Sequence, residues 1–261
     1  MAYFRIEYYS NALHRSTSFE MLIPNDYRLD LSMQDASVIP DKPMGTLFLL
    51  HGYTGKAGNW VPEELAAKYN FAIVMPTAEN SFYLNGQSTG HAFQTLVGEE
   101  MVDYVRRTFG LAKRRENTCI AGMSMGGFGA LHTALAYPDT FGKLAGLSSA
   151  LIVHGIAHMK PGEDNGMANY DYYRECFGNL ETVEQRDANP EVLALKRKAE
   201  GRLPEIFLAC GTEDFLLGPN REMHAFLTEA EIPHQYYESK GGHDMVFWNE
   251  YIVKAVRWMF G

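Results

Sequence analysis

The sequence predicts an α/β fold with a mostly parallel central sheet flanked by helices, and three observations carry that prediction. Short, almost uninterrupted apolar runs recur along the chain, as buried parallel strands require. Segments with helical spacing lie between them. Ahead of both stand two runs rich in aromatic and β-branched residues, 3–9 and 17–23, separated by Asn11 and polar neighbours, which read as antiparallel strands at one edge.

Taken in order, the runs read as parallel strands are 46–50 (Thr-Leu-Phe-Leu-Leu), 71–75 (Phe-Ala-Ile-Val-Met), 118–121 (Thr-Cys-Ile-Ala), 144–147 (Leu-Ala-Gly-Leu) and 206–210 (Ile-Phe-Leu-Ala-Cys). Phe93, Leu96, Val97, Met101, Tyr104 and Val105 trace one face of a helix that should stop near Gly110, and 246–260 gives another. The stretch 151–202 breaks the rhythm with Gly155, Pro161, Gly162, Gly166 and Gly178 among many polar residues. It is expected to be an insertion over one end of the sheet. With no internal repeat or linker, residues 1–261 read as one domain.

Composition narrows the function. The formal charge is −9 and no basic run exceeds Lys113-Arg114-Arg115, so a nucleic-acid partner is not expected. No apolar run approaches the ~20 residues of a membrane span, and the N-terminus has neither the basic start nor the apolar stretch of a secretory signal. A cytoplasmic protein without membrane partners is the expectation, and a homo-oligomer is left open. Cys119, Cys176 and Cys210 are an odd number without metal-type spacing, so reduced thiols are expected, two of them in core strands. His154 and His158 are four apart, but no third ligand is evident, and no metal is expected.

The sharpest local signal is Gly122-Met123-Ser124-Met125-Gly126-Gly127, placed after the strand at 118–121 and before a helical run from Phe128. A strand that turns abruptly into a helix holds the serine hydroxyl exposed, and glycines two positions to either side let neighbouring backbone come close. A serine hydroxyl is a weak nucleophile at neutral pH, so it needs a histidine to take its proton and an acid to orient that histidine. The strand at 206–210 ends in Gly211-Thr212-Glu213-Asp214, and a later extended segment at 235–238 is followed by Gly241-Gly242-His243-Asp244. Ser124, Asp214 and His243 therefore form the candidate triad, in the chain order of α/β-hydrolases. Glu213 should face elsewhere on leaving its strand, and Asp244 should cap the helix that begins near Met245.

Acyl transfer also needs donors aimed at the developing oxyanion. The backbone N–H of Met125, at the start of a helix, and that of Tyr53, in the loop His51-Gly52-Tyr53-Thr54-Gly55, are the candidates. His51 is expected to hydrogen-bond within its loop.

With Leu50-His51-Gly52-Tyr53-Thr54-Gly55, the Gly122-to-Gly127 turn, Cys210-Gly211-Thr212-Glu213-Asp214 and Gly241-Gly242-His243-Asp244 in this order, the chain resembles the putative-esterase family of α/β-hydrolases. That family includes esterase D, S-formylglutathione hydrolases, tributyrin esterases and feruloyl or acetyl-xylan esterases. The resemblance runs from the Arg5 region to the C-terminus. It implies the α/β-hydrolase fold, serine catalysis by Ser124, Asp214 and His243, an oxyanion hole at Tyr53 and Met125, and no metal or organic cofactor. S-formylglutathione hydrolases typically carry a Ser-Gly-Leu-Thr-Cys type of sequence where this chain has 51–55, which weighs against a glutathione thioester. Among the aromatic residues, Trp60, Phe128, Phe215 and Trp248 are candidates for the substrate pocket, with Phe82, Tyr170, Tyr172 and Phe177 as further choices.

The reading that follows is a serine carboxylesterase acting on small-molecule esters with short or aromatic acyl groups. Its rivals are a thioesterase, a serine acyltransferase on the same triad, and a binding protein that keeps the fold without turnover. A strained serine turn argues against the last, since binding has no need of it.

Overall fold

The computed structural model describes residues 1–25 and 43–261. Strands β1 (Ala2–Ser10) and β2 (Arg15–Ile23) form an antiparallel hairpin. Exposure alternates residue by residue along β1, as it should in an edge strand with one wetted face. Next come β3 (Gly45–Leu50), β4 (Phe71–Pro76), β5 (Thr118–Met123), β6 (Lys143–Leu147), β7 (Glu205–Gly211) and β8 (His234–Ser239), and the sheet order is β1-β2-β4-β3-β5-β6-β7-β8. β2 pairs antiparallel with β4, and every pairing from β4 to β8 is parallel. Each strand read from the sequence is present.

Helices cover both faces: α1 (Glu63–Tyr69), α2 (Phe93–Thr95), α3 (Met101–Phe109), α4 (Met125–Ala136), α5 (Val153–Ile156), α6 (Tyr170–Phe177), α7 (Pro190–Glu200), α8 (Leu217–Glu229) and α9 (Met245–Phe260). Alternate residues of one strand feed opposite cores. Phe48 and Leu50 of β3 belong to the core that also takes in residues of α3, α4 and α8, whereas Leu47 and Leu49 belong to the one that takes in residues of α1 and α9. On the second face, the ring of Phe260 stacks on Phe71 at 4.4 Å and fills the space a side chain at Gly45 would need.

Two differences from the sequence reading have local causes. The helix expected from Phe93 to Gly110 contains a wide turn at Leu96–Glu100, with i to i+5 bonding, between α2 and α3. Within it, Gly98 abuts the Tyr137 ring, which a Cβ there would meet at 2.2 Å. The expected insertion 151–202 is also too long. Its last part is α7, whose Leu193 and Ala194 join the core on the α4 side of the sheet, so α7 belongs to the ordinary helical layer. Asn189 caps its start, Pro190 occupies its first turn and Gly201 closes it in the left-handed conformation. Those stop and start residues could have located it in the sequence.

All three cysteines are free and buried, Cys119 in β5, Cys210 in β7 and Cys176 in α6. Among the described residues, no helix is long and apolar enough to cross a membrane.

Candidate active site

Parallel strands deliver their C-terminal ends to one edge of the sheet, and the loops leaving β3, β5, β6, β7 and β8 meet there. The turn after β5 is the tightest. Ser124 has φ 53° and ψ −119°, a conformation that costs a non-glycine residue about 1–3 kcal/mol and survives only where its surroundings enforce it. They do so from several sides. The Ser124 N–H donates to the Leu147 carbonyl of β6 at 2.9 Å, and its own carbonyl accepts from the N–H groups of Ala150 at 2.9 Å and Phe128 at 3.1 Å. The flanking glycines are a matter of space: a Cβ on Gly122 would lie 2.2 Å from the Gly126 carbonyl oxygen, and one on Gly126 would lie 2.5 Å from that of Leu50.

The other two members of the candidate triad come from the ends of β7 and β8. His243 Nε2 lies 3.0 Å from Ser124 Oγ, and its Nδ1 lies 3.1 and 3.0 Å from the two carboxylate oxygens of Asp214. Asp214 is buried. Burial alone would raise its pKa, but hydrogen bonds from His243, the Leu216 N–H and the Ser148 hydroxyl outweigh it and hold the carboxyl below its ordinary range. A carboxylate that stays ionised beside Nδ1 keeps the proton on that nitrogen and leaves Nε2 as the acceptor facing serine. Glu213 is exposed. Asp244 caps α9, accepting from the N–H groups of Val246 and Phe247.

The loop after β3 lies over the nucleophile, since a Cβ on Gly52 would meet Ser124 Cβ at 3.6 Å. His51 braces it. Its Nδ1–H donates to the Gly52 carbonyl at 2.8 Å, its Nε2 accepts from the Ala78 N–H at 3.0 Å, and its carbonyl accepts from the Tyr83 hydroxyl at 2.9 Å. Burial lowers the pKa of His51, with the Gly52 carbonyl pulling the other way, so the ring stays neutral and can both donate and accept. Thr54 N–H donates to Asn80 Oδ1 at 2.7 Å, which fixes the residue after Tyr53. Met125 opens α4 directly after the serine. Tyr53 thus sits in the loop between Gly52, which lies against Ser124, and the anchored Thr54, and Met125 follows the serine directly in the chain.

The aromatic candidates separate. Phe215 is 66% exposed, and its ring centroid is 4.5 Å from the His243 imidazole. Trp248 is buried and meets the same imidazole edge-on at 4.9 Å, its indole N–H donating to Ser148 Oγ at 3.1 Å. Trp60 is half-buried against the core on the α1 and α9 face. Phe128 needs correction as a pocket residue: it is fully buried in core packing with Phe82, Phe177 and the stacked ring of His132. Phe82 and Phe177 are likewise buried. Tyr172 packs edge-on against Tyr53 at 5.9 Å.

Sequence reasoning missed Ser148 and Asn220. Ser148, just past β6 with φ 45°, bridges Asp214 and Trp248. Asn220 of α8 is wholly buried, accepting from Ser149 N–H and donating to the carbonyls of Ser149 and Leu216. Only the position of Ser148-Ser149 at the end of a parallel strand hinted at either. Among the described residues no cluster of three or more His, Cys, Asp or Glu side chains is arranged to hold a metal ion. His154 is engaged by Glu184 and Glu191 instead.

Comparison with known proteins shows the family and the fold. The model of the family described as putative esterase matches residues 10–259. An acetyl esterase of Caldicellulosiruptor saccharolyticus is 39% identical over 264 aligned residues, covering 99% of this chain and 98% of the relative. Among solved structures, the fluorophosphonate-binding serine hydrolase F (FphF) of Staphylococcus aureus superimposes with a TM-score of 0.82 at 28% identity, covering 100% of this chain and 98% of that one. The S-formylglutathione hydrolase (FrmB) of the same organism gives a TM-score of 0.81 at 28% identity, covering 100% and 99%.

Proposed function

This chain belongs to the putative esterase family, and from that premise we propose that it hydrolyses esters of short carboxylic acids, with Ser124, His243 and Asp214 as its catalytic triad. One observation carries the assignment of residues: the unbroken hydrogen-bond chain from Ser124 Oγ through His243 to the buried Asp214, with links of 3.0 to 3.1 Å. Ser124 Oγ attacks the ester carbonyl while His243 Nε2 takes its proton. The tetrahedral oxyanion is held by the backbone N–H groups of Tyr53 and Met125, a contribution that in comparable sites is worth about 2.7–4 kcal/mol per donor. The bond from carbon to the alcohol oxygen then breaks, and the departing oxygen takes the proton from Nε2. Water enters, gives its proton to His243 and attacks the acyl-enzyme, which releases the acid and restores Ser124.

The name of the acetyl esterase relative, similar over its whole length, supports a small acyl group. The experiment compares the protein with its Ser124→Ala variant on p-nitrophenyl esters of increasing acyl length and on methyl ferulate. Turnover that falls steeply beyond butyryl and vanishes in the variant is expected. Activity that persists in Ser124→Ala would overturn the nucleophile, and a preference for ferulate would overturn the short acyl group.

The likeness to an S-formylglutathione hydrolase at 28% identity favours a thioester as the second reading. S-formylglutathione measured beside formyl and acetyl oxygen esters decides between them. An alcohol acceptor added to the same assays shows whether the acyl group passes to water or to another hydroxyl, as in an acyltransferase.

A further inference from the structure

The imidazole of His243 has two aromatic neighbours in very different settings. Trp248 is 9% exposed and tied by its indole N–H to Ser148, so it serves the frame of the site. Phe215, at 4.5 Å on the imidazole, is 66% exposed. Met245 and Val246, two and three residues after His243 at the start of α9, are 41% and 82% exposed. An aromatic ring left in water against a reacting imidazole, with two more exposed apolar side chains following that histidine in the chain, marks a surface that gains when something apolar covers it. The chemistry at that nitrogen says what does. After taking the serine proton, Nε2 must return it to the departing alcohol oxygen, so that oxygen comes within hydrogen-bond reach of Nε2. The atoms bonded to it then lie against whatever flanks the imidazole on its open side, and that is Phe215.

We infer that Phe215, with Met245 and Val246, forms the subsite for the leaving alcohol, and that it selects esters whose alcohol half is apolar and uncharged, aromatic above all. The inference rests on the esterase reading and names the other half of its substrate. The charged side chains near the rim agree with it: Glu213 beside Phe215 is exposed, Asp244 is occupied as the cap of α9, and both are acidic, while the cation of that loop, Lys240, stands three residues before His243. An anionic leaving group would meet more repulsion than attraction there.

The test uses two acetates whose alcohols are similarly acidic, benzyl acetate and methyl acetate, so that leaving-group basicity cannot explain a difference. The unmodified protein should prefer benzyl acetate in kcat/KM, and Phe215→Ala should cut that preference about five- to tenfold, the loss expected when a partly covered phenyl contact is removed. Both esters yield the same acetyl-enzyme, and the alcohol has left before it reacts with water. The deacylation rate, read after the burst with p-nitrophenyl acetate, should therefore hold in the variant. A deacylation rate that falls with the acylation rate would mean that Phe215 only steadies His243, and an unchanged benzyl-to-methyl ratio would mean that the alcohol lies elsewhere. If the ratio holds while Phe215→Ala dissolves a dimer seen by sedimentation, the rim is a contact between copies of this chain and the inference falls. Absence of hydrolysis of any ester, or hydrolysis that survives Ser124→Ala, would sink the esterase reading itself, a result distinct from these.

Discussion

The turn that presents Ser124 and the chain that joins β6 to β7 are held in place by different means. At the turn, backbone presses on backbone. Gly122, Gly126 and Gly127 sit where a single added carbon would come within 2.2 to 2.6 Å of a carbonyl or hydroxyl oxygen, and the strained serine is bonded through its N–H to Leu147 of β6 and through its carbonyl to the N–H groups of Ala150 and Phe128. In the connecting chain, the fixing is done by side chains. Asn169, Asn179 and Asn189 each cap the start of a helix, Glu175 of α6 receives hydrogen bonds from Ser88 and His91, and Gly155, Gly162 and Gly166 have no neighbour within 4 Å of a built Cβ. A reacting oxygen must stay within a few tenths of an ångström of its base, which close-packed backbone can ensure. A connection that shapes the surroundings of a site needs only to keep its fold, and exchangeable polar contacts suffice.

The sharpest test alters a site group without altering its shape. Asp214→Asn keeps an oxygen for the Leu216 N–H, which Asp214 accepts at 2.8 Å, but removes the charge that holds the proton on His243 Nδ1. The expected loss is on the order of 10⁴-fold in kcat, with a melting temperature within a few degrees of the unmodified protein. Near-normal turnover in steady-state assays would mean that another acid orients His243.

Next in size is a pair of identical substitutions placed in the two regions. Gly122→Ala drives a methyl into the Gly126 carbonyl, and it should destabilise the protein by about 3 kcal/mol, roughly 6–12 °C in Tm for a chain of this length. Gly155→Ala puts the same methyl into open space within α5, and it should stabilise by about 0.5–1 kcal/mol through reduced freedom of the unfolded chain. Thermal unfolding of the two variants side by side would erase the contrast between the regions if their shifts had the same sign and size.

The same contrast explains what could be read from the sequence. Where backbone geometry dictates residue type, the sequence is explicit: the glycines around Ser124, the apolar runs of β3 to β7 and the capping Asp244 are each the residues their positions demand. Side-chain partnerships across the fold leave little trace. Ser148 meets Asp214 and Trp248 although they lie far apart in the chain, and its place at the end of a parallel strand is the one trace that this partnership leaves in the sequence. Phe128 looks like a pocket wall because it follows the nucleophile closely, yet helical geometry turns it inward onto Phe82 and Phe177. Exposure separates Phe215 from Phe128, and it depends on the packing of the whole chain.

The smallest effect tests the polar fixing of the connecting chain. His154 of α5 bridges Glu184 at 2.7 Å and Glu191, at the start of α7, at 3.0 Å. The Glu184 hydrogen bond, opposed by partial burial and helped by Glu191, raises its pKa. A histidine whose folded pKa lies above its unfolded value adds stability that is fully present below the unfolded pKa, near 6.5, and is lost as pH rises through the folded pKa. The stability difference between the unmodified protein and His154→Ala should therefore be larger at pH 5.5 than at pH 8. Because the side chain is 45% exposed, solvent screening holds that change to about 0.5 kcal/mol, and added salt should shrink it further. Urea unfolding at both pH values and two salt concentrations measures it. A difference that is independent of pH and salt would mean that His154 acts by packing alone, and the connecting chain would then resemble the serine turn in the one respect that separates them.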